Sequence, residues 1–251
     1  MFFSPNPMSL LLIICFLALL ISPSTAIIGG EPSPITDEPW TVAIYLQNNY
    51  TCGGSILSSR YILTAAHCVD KYFHSVWNGR TFSRRKVYFR EKKIYFLRYD
   101  PLTFANNIAI IETRAPMQLD YMTCKPIDLP KLEFDPMEGT EVLVSGWGDP
   151  DPQQQIWAGS LKAANFTVIM RSKCQEEYKA KQKATLVTYE VFCAGGGNVS
   201  IESHDAGDPA VQNSMLVGVA SYPKGYEPEF PSIFTRVGAF VTWIREIIEK
   251  A

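Results

Sequence analysis

The sequence predicts an all-β protein of antiparallel strands that ends in one helix. Short apolar segments recur along the chain and are separated by Gly, Pro or Asn, which is typical of a β-barrel or a sandwich. In Gly238–Lys250 the apolar residues recur instead at helical spacing. The 225 residues from Ile27 to Ala251 suit one large all-β domain or two half-barrels.

Each predicted element has its own local signal. The strands are apolar runs of five to eleven residues bounded by turn formers; examples are Trp40–Gln47, Ser55–Thr64, Lys86–Phe96, Ile108–Glu112, Glu141–Trp147 and Met215–Tyr222. The apolar face of the helix should pack on the body, and it comprises Phe240, Val241, Ile244, Ile247 and Ile248. A division between two halves is expected near residues 119–135, because Pro126, Pro130 and Pro136 interrupt regular structure there.

The N-terminal segment predicts export. Residues 1–26 contain no charged side chain, and the apolar run Leu10–Ile21 ends in the small-residue stretch Ser22–Ala26. The run is too short to span a bilayer and its end suits signal peptidase. Residues 1–26 are therefore predicted to be a signal peptide, and residues 27–251 a secreted domain without a membrane span. The missing basic residue leaves a membrane anchor or a buried helix as the alternative.

Cysteines, sequons and charge agree with an extracellular protein. Once Cys15 leaves with the signal peptide, five cysteines remain. An odd number in an oxidising compartment implies a thiol outside the intrachain bridges or an intermolecular bond. N-glycosylation is permitted by sequons at Asn49, Asn165 and Asn198. The net charge of −2 gives no indication of nucleic-acid binding.

Seven short motifs carry most of the remaining information. They are Ile27–Gly30 (IIGG), Cys52–Leu57 (CGGSIL), Leu63–Cys68 (LTAAHC), Asn107–Ile111 (NIAII), Ser145–Gly148 (SGWG), Leu216–Ser221 (LVGVAS) and Pro231–Val237 (PSIFTRV). In this order and at these intervals they resemble the trypsin- and chymotrypsin-like serine proteases over nearly all of residues 27–250. The resemblance implies two six-stranded antiparallel β-barrels packed face to face, with a C-terminal helix. It does not imply catalysis, because function depends on the site and not on the fold.

The resemblance also locates the catalytic positions, and two of three are altered. The family needs a hydroxyl nucleophile, a histidine base and an aspartate that orients the base. His67 matches the base, but the aspartate position is Asn107, a loss worth about 10⁴ in turnover. The family's Gly-Asp-Ser-Gly-Gly-Pro reads HDAGDP here, which places Ala206 at the nucleophile, and a methyl group cannot form an acyl-enzyme. A rival alignment, which deletes three residues and centres on Asp208, loses the serine as well.

Substrate-binding positions are changed too. By the same resemblance, His204 replaces a glycine whose amide helps to form the oxyanion hole, and its side chain restricts that backbone. Ser200 takes the place of the trypsin-like specificity aspartate, and Ser232 that of a glycine in the pocket wall. Pro223 removes a main-chain donor for substrate because proline has no amide hydrogen.

The histidines leave one metal alternative open. His67 and His204 could bind an ion together with Asp205 or Asp208. Two ligands without fixed spacing are weak support for such a site, and the resemblance already gives each histidine a place in the family's motifs. The sequence therefore predicts no metal and no cofactor.

Features that maintain the fold are kept. The resemblance implies disulfides Cys52–Cys68 and Cys174–Cys193, and it makes Cys124 a buried thiol, with a covalent dimer as the alternative. Two other family bridges are lost as whole pairs, at Val142 with Gln212 and at Glu202 with Tyr226.

The activation site of the family is absent because Ala26, and not a basic residue, precedes Ile27. Signal-peptide removal would itself release the Ile27 amine. We expect that amine to pair with Asp205, or with Asp208 in the rival alignment. The folded chain would then need no zymogen stage.

These observations predict a secreted, non-catalytic protease homologue that acts by binding proteins, as a regulator, cofactor or decoy of active proteases. Its binding partners would be the active proteases themselves, or their substrates or inhibitors. The alternative is a weak hydrolase with another nucleophile such as Ser203, and a structural or storage protein is a third possibility. The basic segment Arg80–Arg98 could bind an anionic glycan or an acidic partner. Its charges alternate with apolar residues, which favours a solvated strand pair instead.

Overall fold

We analysed a computed structural model of the chain, which describes residues 27–46, 49–70, 75–78, 87–89, 91–148, 160–180, 186–221 and 230–249. The predicted signal peptide, Pro223, Tyr226 and much of the basic segment Arg80–Arg98 lie outside these ranges. Within the described residues no helix has the length and apolar character needed to cross a membrane.

Strands build most of the described structure. The first seven are β1 (Glu31–Pro32), β2 (Thr41–Leu46), β3 (Asn49–Ile56), β4 (Tyr61–Thr64), β5 (Ser75–Asn78), β6 (Val87–Phe89) and β7 (Glu91–Phe96). The next seven are β8 (Ala109–Thr113), β9 (Glu141–Gly146), β10 (Lys162–Ile169), β11 (Val191–Ala194), β12 (Pro209–Gln212), β13 (Met215–Ala220) and β14 (Ser232–Arg236). The helices are α1 (Arg171–Ala180) and α2 (Val241–Ile248).

The strands form two antiparallel sheets. The first has the order β6-β5-β2-β3-β4-β8-β7. In the second, the order β10-β11-β14-β13-β12-β9 closes on itself because β9 also pairs with β10, and β1 lies outside this ring on β10. This arrangement, a closed six-stranded barrel beside a second sheet and a C-terminal helix, confirms the predicted trypsin-like fold.

Three local predictions need correction. The predicted strand Lys86–Phe96 contains two strands, β6 and β7, which lie at opposite ends of the order of the first sheet. The apolar run Ser55–Thr64 is not one strand but the end of β3, a turn, and β4. The polar residues Ser58–Arg60 form this turn, in which the amide of Arg60 donates to the Ser58 hydroxyl. The terminal helix is shorter than Gly238–Lys250, because a 3-10 turn over Val237–Phe240 precedes α2.

Helix α1 gives almost no apolar signal in the sequence. Its buried residues are Cys174 and Tyr178, which share one face at i and i+4. A disulfide links Cys174 to Cys193 on β11, and the Tyr178 hydroxyl donates to the Pro231 carbonyl at 2.7 Å. Arg171 and Gln175 add hydrogen bonds to the carbonyls of Val191 and Val187, so tertiary contacts, and not an amphipathic pattern, hold the helix on the barrel.

The second disulfide, Cys52–Cys68, joins β3 to the 3-10 turn after β4. Both bridges are those implied by the family resemblance. Cys124 is buried and forms no disulfide among the described residues. Each of the two apolar cores contains a residue of the candidate site: Ala206 packs in the first core and Ile27 in the second.

Candidate functional site

His67 lies in a short 3-10 turn, Ala66–Cys68, directly after β4. The disulfide of Cys68 fixes the end of this turn to β3. The imidazole is half-buried, and Phe104 covers it edge-on with ring centroids 5.7 Å apart. Burial lowers the pKa of His67, while its hydrogen bond to Asn107 acts in the opposite direction. The side chain is therefore held in place and favours its neutral form.

Asn107 occupies the position expected of the triad aspartate, immediately before β8, and is 1% exposed. Its Oδ1 accepts the backbone N–H of His67 at 3.0 Å. Its Nδ2 donates to the Ser221 hydroxyl at 2.8 Å and lies 2.9 Å from Nδ1 of His67. Oδ1 lies 3.1 Å from the same ring nitrogen, so both amide atoms of Asn107 are within hydrogen-bond distance of Nδ1.

This contact differs from the one that catalysis in the family requires. There the reacting nitrogen Nε2 must be free to take a proton from the nucleophile, so the imidazole proton must stay on Nδ1. A carboxylate enforces that tautomer because it only accepts hydrogen bonds. The Asn107 amide can accept from Nδ1–H through Oδ1 or donate to Nδ1 through Nδ2, so it does not hold His67 in the tautomer of a base.

Ala206 follows the 3-10 turn Ser203–Asp205 and has no exposed surface. Its carbonyl accepts the amide of Gly53 at 2.8 Å, which ties this backbone to β3. Gly207 comes next with φ of 87°, a conformation that L side chains rarely adopt. The backbone of the nucleophile motif is thus kept, but it presents a methyl group in place of a hydroxyl.

The positions expected to bind substrate are scattered around this backbone. His204 packs on the buried Tyr50, with ring centroids 6.1 Å apart. Ser232 is buried and its Oγ accepts the amide of Ile201 at 3.2 Å, while the buried Ser200 hydroxyl donates to the Ile201 carbonyl. The two serines therefore line a short polar segment and provide no charge for a basic substrate side chain.

A capping box organises the turn before Ala206. Oδ2 of Asp205 accepts the amide of Glu202 at 2.8 Å, and the Glu202 side chain accepts the amide of Asp205 in return. Glu202 is one of the two positions of a family bridge that the resemblance implies is lost, and these hydrogen bonds instead tie it to Asp205 within the same turn. Asp205 is fully buried, which raises its pKa to about 7.

Ile27 is also fully buried, and its backbone nitrogen lies beside the Asp205 carboxyl and lowers the pKa of that group. The next residue, Ile28, pairs with Ser200 through amide and carbonyl. Asp205, not Asp208, is thus the neighbour of Ile27, which favours the ungapped alignment over its rival.

Other sequence predictions meet the structure only in part. The side chains of Asn165 and Asn198 are exposed, as glycosylation would require, and the Asn49 side chain lies outside the described set. Three potential metal ligands lie within 4.8 Å of one another at Cys52, His67 and Cys68, but the two sulfurs form a disulfide. No such group among the described residues includes His204. The Ser203 side chain is outside the described part of the chain.

Sequence reasoning missed two contributors to the site and one property of a third. Phe104 covers His67 from a loop that no motif marks, and Tyr50 lies beneath His204. Asp208 was considered in the sequence only as an alternative partner of the Ile27 amine and as a metal ligand, and the structure shows that its carboxyl is fully buried between two glycines. The family's motif has a glycine at this position, which is a signal that the sequence already carried.

Comparison with known proteins places this geometry in a family. The family model described as Trypsin matches residues 27–244. The trypsin Blo t 3 of Blomia tropicalis is 30% identical over 235 residues, covering 87% of this chain and 85% of its own. Kallikrein 1-related peptidase b3 of Mus musculus is 30% identical over 249 residues, covering 89% and 90%.

Two solved structures are more similar still. The scabies mite inactivated protease paralogue S-D1 is 46% identical, has a TM-score of 0.83, and covers 89% of this chain and 98% of its own. The scabies mite inactivated protease paralogue S-I1 is 38% identical with a TM-score of 0.78, covering 89% and 100%. Structural neighbours described as inactivated proteases support a non-catalytic homologue here. The chain belongs to the trypsin family of chymotrypsin-like serine proteases.

Proposed function

We propose that the protein is a secreted, non-catalytic member of this family that acts by binding other proteins. The observation that carries the proposal is the buried methyl group of Ala206 at the nucleophile position. Covalent hydrolysis requires a nucleophilic side chain, such as a hydroxyl, a thiol or an amine, and alanine has none of these groups. The Asn107 amide, which does not fix the catalytic tautomer of His67, and the side chain at His204 weaken the same machinery independently.

The supported role is regulation of active proteases, as a cofactor or decoy, through their substrates or inhibitors. A trypsin-like surface carried on a scaffold without chemistry can occupy a partner's binding site and leave that partner uncleaved. Both disulfides and the barrel cores are retained, which supports a requirement for a defined surface. Glycosylation at Asn165 and Asn198 would further restrict which faces a partner can reach.

A serine-directed fluorophosphonate probe tests the loss of catalysis. We expect no covalent adduct on the purified protein by mass spectrometry, and no hydrolysis of peptide substrates. An active trypsin treated in parallel provides the positive control. Stoichiometric labelling that disappears in His67→Ala would instead support a hydrolase with another nucleophile such as Ser203.

Binding is tested by mixing the purified protein with an active trypsin-like protease, with a natural inhibitor of that protease, and with both together. A non-catalytic regulator should bind at least one component and change the rate of substrate cleavage. A protein that neither binds nor changes any rate, yet accumulates in bulk, would indicate the structural or storage role.

The amino terminus is expected at Ile27. This residue is fully buried and its backbone nitrogen lies beside the Asp205 carboxyl, so an amine released here would have a partner of opposite charge. N-terminal sequencing of secreted protein should therefore begin at Ile27, without treatment by any trypsin-like protease. A start well upstream of Ile27 in folded, secreted protein would contradict both the predicted cleavage site and the pairing of the amine with Asp205.

A further inference from the structure

Asp208 is a buried carboxyl group that the family's motif does not contain. It has no exposed surface, and its side chain fills the space between Gly53 on β3 and Gly146 on β9. A Cβ atom at either glycine would overlap a carboxyl oxygen of Asp208. Neither Oδ1 nor Oδ2 of Asp208 accepts a hydrogen bond from any group in the described part of the chain. An ionised carboxylate is not stable in such a position without compensation.

The groups that face this carboxyl are themselves acidic or neutral. Asp205 is adjacent and interacts directly with it, and Tyr50 lies close enough for both carboxyls to raise its pKa after the larger effect of burial. Glu202 acts on Asp205 from the capping box and raises its pKa. The ion pairs found among the described residues lie elsewhere and do not reach Asp205 or Asp208. Among the described residues, the cation that this region can gain is the Ile27 amine.

Charge and hydrogen bonding then decide the protonation state. Two carboxylates that share a buried site cannot both ionise, because each charge disfavours the other. Burial raises the pKa of Asp208 well above its usual range, and the charge of Asp205 raises it further. The same contact lowers the pKa of Asp205, which after the larger effect of burial is about 7. Asp208 therefore keeps its proton to a higher pH than Asp205, and the positive charge of the Ile27 amine favours the ionised form of Asp205 further.

We propose that Asp208 keeps its proton in the folded chain and donates a hydrogen bond to Asp205, so that the pair forms a singly charged receptor for the Ile27 amine. The charges of this arrangement balance. The Asp208 carboxylic acid is neutral, and the Asp205 carboxylate and the Ile27 ammonium carry one charge each of opposite sign. Asp205 thereby gains the donor that its Oδ1 otherwise lacks. This assignment is independent of the proposed binding function, because it concerns how the fold is held and not what it binds.

The proposal makes the stability of the fold depend on pH in a definite direction. A carboxyl whose pKa is raised on folding binds a proton that the unfolded chain releases near pH 4. As the pH rises above that value, the unfolded state gains by ionising and the folded state does not, so stability falls. The unfolding equilibrium constant should then rise about tenfold per pH unit from this one proton, until the pH reaches the folded pKa of Asp208.

Asp208→Asn provides the test because an amide fits the same space, can still donate to Asp205, and does not titrate. Urea unfolding of the mature protein is measured at pH 5, 6, 7 and 8, with the exposed Asp128→Asn as the control. We expect Asp208→Asn to gain stability over the wild type by about tenfold in the equilibrium constant per pH unit, while Asp128→Asn runs parallel to the wild type. A variant that is less stable than the wild type at pH 8, or that keeps the wild-type slope, would overturn the proposal.

A second measurement on the wild type does not depend on whether the variant folds. Infrared spectra at pH 7, with and without aspartate labelled by ¹³C at its carboxyl carbon, should show a labelled band from a protonated carboxylic acid. Acid-denatured protein supplies the position of that band, and protein unfolded in urea at pH 7 should lack it. The absence of the band from the folded protein at pH 7 would show that Asp208 is ionised, and would overturn the proposal on its own.

Discussion

Ala206→Ser alone is expected to react only slowly with a fluorophosphonate, and Ala206→Ser combined with Asn107→Asp should react about 10⁴-fold faster than the single variant. Nδ2 of Asn107 lies 2.9 Å from Nδ1 of His67 and Oδ1 lies 3.1 Å from it, so the amide can donate to Nδ1 and leave the imidazole proton on Nε2. In that tautomer a hydroxyl at position 206 meets a donor and not a base. A carboxylate at position 107 only accepts, from Nδ1–H, and frees Nε2 to take the proton.

The comparison is made on rates of covalent labelling, because the natural substrate of an active ancestor is unknown. Adding His67→Ala to the double variant should return the labelling rate to that of Ala206→Ser, which shows that the imidazole is the base. Even the double variant should remain slower than an active trypsin. His204 is predicted to replace an oxyanion-hole glycine, its side chain restricts the backbone that carries the amide donor, and loss of one such donor costs about 10²–10³ in rate. Equal labelling of the single and double variants would show that Asn107 does not limit His67.

Much of the site was predictable because the sequence keeps the family's motifs in order. The proposed loss of catalysis rests on the residues at positions 67, 107 and 206, and the structure adds how Asn107 contacts the imidazole. Both disulfides were implied by the same resemblance. So was a six-stranded antiparallel barrel, which β9 to β14 form.

Other features could not be read from local patterns because they depend on contacts between distant segments. Helix α1 has a polar sequence and is held by tertiary contacts that include one disulfide and one tyrosine, so no hydrophobic periodicity predicts it. Phe104 reaches His67 across 37 positions of sequence. Asp208 was visible as a departure from the motif, but only the two glycines that surround it show that its carboxyl is buried.

The same packing predicts a large loss of stability for Gly146→Ala. Gly146 ends β9, and the space that its missing side chain leaves is filled by Oδ2 of Asp208. The methyl group would displace a buried carboxyl that has Gly53 directly on its other side. Overpacking of a rigid core costs about 1–3 kcal/mol, and displacement of the contact with Asp205 adds to it. We expect the free energy of unfolding to fall by about 3 kcal/mol, measured by urea denaturation.

A double-mutant cycle with Asp208→Gly identifies the cause. If the carboxyl is what the methyl group meets, Gly146→Ala should cost less than about 1 kcal/mol in the Asp208→Gly background, which gives a coupling energy of about 2 kcal/mol or more. Gly139→Ala is the matched control, because a Cβ there meets open space and only the φ of 77° opposes it. Its cost of about 1–2 kcal/mol should be the same in both backgrounds. A coupling energy near zero at Gly146 would mean that the barrel, and not Asp208, requires the glycine.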